Sequence, residues 1–280
     1  MARFLKKKKK NKKLLVALLI LLLLVIAVCI FVIIFEFKKW HSGDAIDYDQ
    51  FHAPTMSASE ALIPGVVYET AADGTPIPAE SQLASNPVRF ADLQLVSDDI
   101  YAWVYVPGTE VDYPVLQSKP DVDDNFYLHR DVYGKYDFQG SVYTQKVNSK
   151  DFTDRVTVIY GHNMLNDSMF STLINFLDET FFNEHPYFYI YTPGHILTYE
   201  IVSAHQYDKR HIMNAFDFSD DEDYQRWLDM IQNPKTFRAH VRDGIELTLD
   251  SRIVTLSTCI NSGTSRYLIQ GVLISDEPTG

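Results

Sequence analysis

Apolar residues follow three patterns along the chain. From Leu14 to Phe35 they are continuous (LLVALLILLLLVIAVCIFVIIF), with Cys29 the one interruption. As a helix rising about 1.5 Å per residue, such a run crosses the roughly 30 Å hydrocarbon core of a bilayer. A cleavable signal peptide has a shorter apolar region, about 7–15 residues, and a small-residue cleavage site. Here Glu36, Phe37, Lys38, Lys39 and Trp40 follow instead, so 14–35 is predicted to be an uncleaved transmembrane anchor. Residues 36–89 lose the pattern. Acids, Ala and Ser alternate with Pro54, Pro64, Pro76, Pro78 and Pro87, which break any long helix and predict a stalk.

From Phe90 to the end, short β-rich runs dominated by Val, Ile, Thr and Tyr recur between turn residues. Strands are predicted at YAWVYV (101–106), VDYPVLQ (111–117), GSVYTQ (140–145), RVTVIYG (155–161) and FYIYT (188–192). Further strands are predicted at LTYEIVSAHQY (197–207), IELTLD (245–250), RIVTLST (252–258) and RYLIQGVLI (266–274). So many short strands in one domain, 90–280, predict a mainly β, closed or nearly closed barrel. Two patches have helical spacing. SMFSTLINFLDETFF (168–182) aligns Phe170, Leu173, Phe176 and Leu177, and DDEDYQRWLDMIQ (220–232) aligns Trp227, Met230 and Ile231 behind a run of acids. Both stripes predict core contacts and not a cofactor site.

Charge gives the chain a direction. Residues 1–13 carry 8 of the 25 basic residues and no acid, which leaves 17 basic residues against all 37 acids in the remainder. Basic residues are retained on the cytoplasmic face, so 1–13 is predicted inside and everything after the anchor outside. A body that acidic excludes broad binding to nucleic acid. Cys29 lies within the apolar run and Cys259 near the far end, so no disulfide framework is available. A single thiol on an extracellular domain is either a reactive group or a buried inert one.

The neighbours of Cys259 favour reactivity. The β-rich run TLST ends in Cys259, the polar loop INSGTS follows, and a new strand opens at Arg266. A thiol at a strand end faces a rim, and an arginine seven residues on folds back beside it. Arginine is a permanently charged fork suited to holding a carbonyl or oxyanion. Of the nine histidines, His162 alone directly follows a β-rich run and a glycine, in VIYGHNM.

These blocks, with WVYVPGTEVDYPVLQ (103–117), NFYLHRDVYGKYDFQGSVY (125–143) and TLSTCINSGTSRYLIQGVLI (255–274), resemble the class B sortases over about residues 90–275. The resemblance implies a closed barrel of about eight strands with peripheral helices, preceded by the one transmembrane helix. It places a helical insertion in the interval that contains 220–232. It implies a membrane-anchored cysteine transpeptidase with Cys259 as nucleophile, His162 as acid/base partner and Arg266 as clamp. Ser257 and Thr258 would bind substrate, although a locally satisfied strand hydroxyl explains Ser257 equally well. The implied partners are secreted proteins bearing a C-terminal sorting motif, and a cell-wall precursor or pilin amine as acceptor. No cofactor and no metal are called for, because one amide is exchanged for another. Three other readings remain: a pilus-assembling sortase, a secreted cysteine peptidase acting on cell-wall peptides, and an inactive surface-binding module. The papain-like order places Cys before His, and here His162 comes first. No HExxH, GxSxG, Walker or CxxC motif is present.

Overall fold

The structure is a computed structural model that describes residues 16, 18–34, 46–52, 68–70, 76–78, 84–260 and 264–279. The lysine cluster, both ends of the apolar run, most of the predicted stalk and residues 261–263 lie outside the described residues. The chain forms two compact units, 1–45 and 46–280. In the first, 18–34 is helical. Among the described residues no helix is long and apolar enough to cross a membrane.

The second unit is a barrel. Its elements are β1 (Ile100–Tyr105), β2 (Asp112–Gln117), β3 (Val142–Thr144), β4 (Val156–Tyr160), β5 (Tyr187–Thr192), β6 (His195–Tyr207), β7 (Ala239–Val241), β8 (Ile253–Ile260) and β9 (Ser265–Pro278). The order β9-β8-β4-β3-β2-β1-β5-β6 closes on itself because β6 also pairs with β9, which gives eight strands around the wall. The pairings β2–β3 and β4–β8 are parallel and the other wall pairings antiparallel. Short β7 lies against the second half of β6. Register shifts in β9 at Gln270/Gly271 and Leu273/Ser275 bend it so that it reaches both neighbours. Gly271 belongs there for steric reasons: a Cβ would sit 2.5 Å from the Phe188 ring inside the barrel.

The strand sequences show why this wall forms. Along β8, Val254, Leu256 and Ile260 enter the interior cluster with Ile159, Tyr267 and Ile269. The alternate residue Ile253 faces outward and packs with Val158, Leu268 and Val272 under a helix. That helix, Asp221–Gln232, supplies Tyr224, Trp227, Leu228 and Ile231 to the outer cluster. Asp220 caps it by accepting from Glu222 N and Asp223 N at 3.1 and 3.0 Å. β8 is thus buried on both faces, and its polar residues Thr255, Ser257 and Thr258 are buried along with its apolar ones. Elsewhere Phe51, Val88, Phe90 and Leu93 pack with Trp103 on a third cluster.

Two predicted elements differ. The patch at 168–182 divides into a 3₁₀ helix, Ser171–Leu177, and an α-helix, Glu179–Glu184. Asp178 separates them and caps the second by accepting from Phe181 N at 2.9 Å. IELTLD is not a strand. β8 is already flanked by β4 and β9, so no wall edge is free for it. Ile245, Leu247 and Leu249 pack against the outer cluster, and their alternation reports one-sided burial without ladder pairing. The other eight predicted runs coincide with strands.

One buried group makes stability depend on pH. His205 in β6 is 1% exposed, and burial pushes it down to about 4. An unfolded histidine titrates near 6.5. Below that pH the unfolded chain binds a proton that the folded chain refuses, so stability falls as pH drops from about 6.5 towards 4. Burial shifts His162 and His211 in the same direction. Thermal unfolding at pH 7 and pH 4.5 should show this loss, and His205→Leu should make it smaller. An equal loss in both proteins would remove His205 from the account.

Candidate active site

Hydrogen-bond register brings three sequence-distant residues together. β4 and β8 run parallel with Tyr160 opposite Ser257. Gly161 N continues this ladder by donating to Ser257 O at 3.1 Å. His162 therefore leaves its strand beside the position where Cys259 approaches the end of β8. Asn163 Nδ2 fixes the two segments by donating to Cys259 O at 2.8 Å. On the other side of β8, Cys259 lies directly opposite Arg266 in the antiparallel pairing with β9. Parity places Cys259, Ser257 and Arg266 on the outer face, since the alternate residues Leu256, Ile260 and Tyr267 fill the interior.

The His162 ring is held on its edge and on its face. Its Nε2–H donates to Leu128 O at 2.7 Å, so the neutral ring leaves Nδ1 as the unprotonated nitrogen. The His129 ring stacks on it at 5.2 Å, and Phe138 lies 6.1 Å away nearly parallel. Burial holds its pKa below the ordinary histidine value, opposed by the Leu128 carbonyl and by Asp137. Behind the ring, a Cβ on Gly161 would lie 2.5 Å from Phe170, so only glycine lets the strand end pass this closely. Phe170 N returns to His162 O at 2.9 Å and closes the loop.

His162, Cys259 and Arg266 line one cleft of about 240 Å³ with Leu128, Tyr143 and Ser257. Both cysteines are free, and Cys259 is half-buried. Burial raises the Tyr143 and Tyr160 hydroxyls above the ordinary tyrosine value. The cleft wall therefore presents neutral hydroxyls beside the Arg266 charge. A thiol, an imidazole and a guanidinium on adjacent strand ends can perform acyl transfer.

The sortase-domain family profile matches residues 104–274. The chain belongs to the sortase family. Sortase B of Listeria monocytogenes is 32% identical over 189 residues, covering 66% of this chain and 73% of the relative. Sortase B of Staphylococcus aureus is 28% identical over 171 residues, covering 61% and 67%. Among solved structures, a mutant form of Clostridium perfringens sortase B is similar with a TM-score of 0.60 and 34% identity, covering 67% of this chain and 87% of that one. A Staphylococcus aureus sortase B–substrate complex is similar with a TM-score of 0.58 and 26% identity, covering 67% and 85%. The protein is thus a class B sortase, a cysteine transpeptidase on an eight-stranded barrel.

In this sortase the five residues singled out from sequence do not all meet. Cys259, His162, Arg266 and Ser257 share the cleft, with Ser257 at 3% exposure on its floor. Thr258 does not join them. It has the parity of Leu256 and Ile260, is opposite Tyr267, and is buried. Sequence reasoning singled out neither His129 nor His211. His129 stacks on His162, and His211 lines the cleft with its Nδ1 buried and unbonded. Their proximity depends on long connections whose path no periodicity encodes. The one available signal was their position, His129 within a block that carried the family resemblance.

Proposed function

We propose that this sortase cleaves a sorting motif in secreted proteins and transfers the acyl group to an amine of a cell-wall precursor, working outside the cell from an anchor at residues 14–35. The anchor reading is supported by the uninterrupted apolar run and the lysines before it. Its described helix exposes large apolar side chains from Val16 to Ile34, a surface that water disfavours and lipid accommodates. The Staphylococcus aureus sortase B–substrate complex supports a peptide substrate for the cleft.

One observation carries the chemical reading: Cys259 is flanked by Arg266 through the β8–β9 register and by His162 through the β4–β8 register, within one cleft. In the reactive form a proton has passed from the Cys259 thiol to His162 Nδ1. Burial makes that imidazolium a minor species at neutral pH, while the Leu128 carbonyl and Asp137 favour it. The thiolate attacks the peptide carbonyl carbon, and the resulting oxyanion is held by Arg266. His162 then gives its Nδ1 proton to the leaving amine as the C–N bond breaks, and a thioester remains. An incoming amine attacks the same carbon and gives a proton to His162 Nδ1. The C–S bond breaks and the thiolate returns. Ser257 lines the floor beneath the acyl group.

The test is to incubate the protein with a peptide library and two amines, a wall-type peptide and a lysine-bearing protein segment. Cleavage at one motif, with the acyl product on the wall-type amine, is expected. Transfer confined to the lysine-bearing segment would replace wall anchoring with subunit joining, and absence of any cleavage would reject the reading.

A further inference from the structure

One face of the His162 imidazole is covered by a second imidazole. The His129 ring lies over it with centroids 5.2 Å apart and planes 28° apart. Phe138 completes a set of three nearly parallel rings, 6.1 Å from each histidine. The backbone fixes His129 in this place. It ends the short 3₁₀ turn Phe126–His129, and its carbonyl accepts from Asp137 N at 3.1 Å. The next residue, Arg130, forms a β-bridge with Tyr136. Leu128 and His129 thus hold His162 together, the first by its carbonyl at the ring edge and the second by its ring on the face.

A second imidazole here could relay a proton or supply a charge. A relay needs an N–H of one ring aimed at a nitrogen of the other. Stacked rings present faces to each other, and Nε2 of His162 is already committed to Leu128 O, so no such bond forms. Charge is what remains. His129 is exposed, so protons reach it from solvent whatever occupies the cleft. Imidazole changes charge between about pH 5 and 8, and a like charge against a ring opposes that ring's own protonation. Burial lowers His162, the Leu128 carbonyl raises it, and the His129 charge lowers it again. The other charged groups of this connection are engaged elsewhere. Arg130 lies over the Phe126 ring and donates to Gly134 O, and Asp131 accepts from Tyr133 N and Lys135 N. Lys135 lies over Tyr133, and Asp137 acts on His162 in the opposite sense to His129. Cys259 and Arg266 face His162 from inside the cleft, and His129 stands outside it.

We infer that His129 is a positioning residue that governs the Cys259–His162 pair. When neutral it holds the His162 ring flat for proton transfer. When protonated it disfavours the His162 imidazolium, and with it the Cys259 thiolate. The inference rests on the transpeptidase reading above. Its consequence is an enzyme that slows on acidification more steeply than the titration of the pair alone requires.

Two exchanges fix position 129 in one charge state each. His129→Phe keeps a stacking ring that is never charged, and His129→Arg keeps a planar group that always is. Both substitutions are at an exposed site, and circular dichroism checks that the proteins are folded. With the full chain in detergent, we would measure the rate of iodoacetamide alkylation of Cys259, which follows the thiolate and needs no sorting peptide. Mass spectrometry of the peptide that contains Cys259 keeps Cys29 out of the reading. The kcat/KM for a cleavable sorting peptide is measured alongside, at pH 7.5 and pH 5.5. Between these pH values both rates should fall about fivefold less in His129→Phe than in the unmodified protein, and at pH 7.5 His129→Arg should be about fivefold slower, an effect within reach of a neighbouring like charge. A merely structural role would give parallel pH profiles. Equal falls in the unmodified protein and His129→Phe would overturn the inference, as would a His129→Arg protein that matches the unmodified one at pH 7.5. The expected alkylation pattern without peptide cleavage by any of the three proteins would uphold the role of His129 and defeat the transpeptidase reading.

Discussion

Replacing Cys259 by alanine is expected to abolish cleavage of a sorting peptide, and replacing His162 by alanine to slow it by about 10³-fold, with both proteins folded. The first effect follows from the chemistry, because no other side chain in the cleft can form a thioester. The second follows from the proton inventory. Without His162 the thiol has no neighbouring base at Nδ1, and the leaving amine departs without an acid. Leu128 O fixes the ring at Nε2, so the proton-exchanging nitrogen is oriented as well as present. The double variant should be no slower than Cys259→Ala alone, since the pair acts as one unit. Cys29→Ala should be silent, because Cys29 belongs to the N-terminal helix. Circular dichroism and steady-state cleavage assays on the four proteins check these outcomes. A His162→Ala protein with near-normal turnover would transfer the proton role to His129 or His211, both of which are close to the site.

Arg266→Lys is expected to keep the fold and lose roughly 10²-fold in kcat/KM, comparable to removing one oxyanion donor. Lysine retains the charge but not the planar fork, so a deficit in this variant measures geometry and not electrostatics alone. Arg266 is fixed opposite Cys259 by the β8–β9 register. The other arginine near this strand, Arg252, precedes Ile253 at the far end of β8, about 20 Å away at strand rise, and offers no substitute. Kinetics of Arg266→Lys with a cleavable peptide decide the matter, and turnover within twofold of the unmodified enzyme would take the clamp away from Arg266.

Much of this architecture was legible because strand pairing leaves a local trace. Runs such as IVTLSTCI declare a strand through their β-branched and apolar content, and Asp220 with the acids after it marked the covering helix. Cys259 and His162 were legible because each sits where a β-rich run gives way to polar sequence. What stayed hidden depends on closure. IELTLD has the alternation of a strand but no edge to join, because β9 closes the wall onto β6. Ser257 and Thr258 are adjacent in sequence, and only the register decides that the first faces the cleft and the second the core. The stacking of His129 on His162 and the carbonyl of Leu128 at its edge come from the connection between β2 and β3, whose path is set by Gly140. That glycine has φ +61°, and a Cβ there would lie 2.3 Å from Leu128 O.

The account stands on a thioester at Cys259, and intact-protein mass spectrometry observes it directly. Brief incubation with a cleavable sorting peptide in the absence of acceptor amine should add the mass of the acyl fragment to the protein. The adduct should map to Cys259, disappear with hydroxylamine, and be missing from Cys259→Ala. Peptide turnover by the Cys259→Ala protein, or an adduct that persists on another residue of it, would contradict the mechanism.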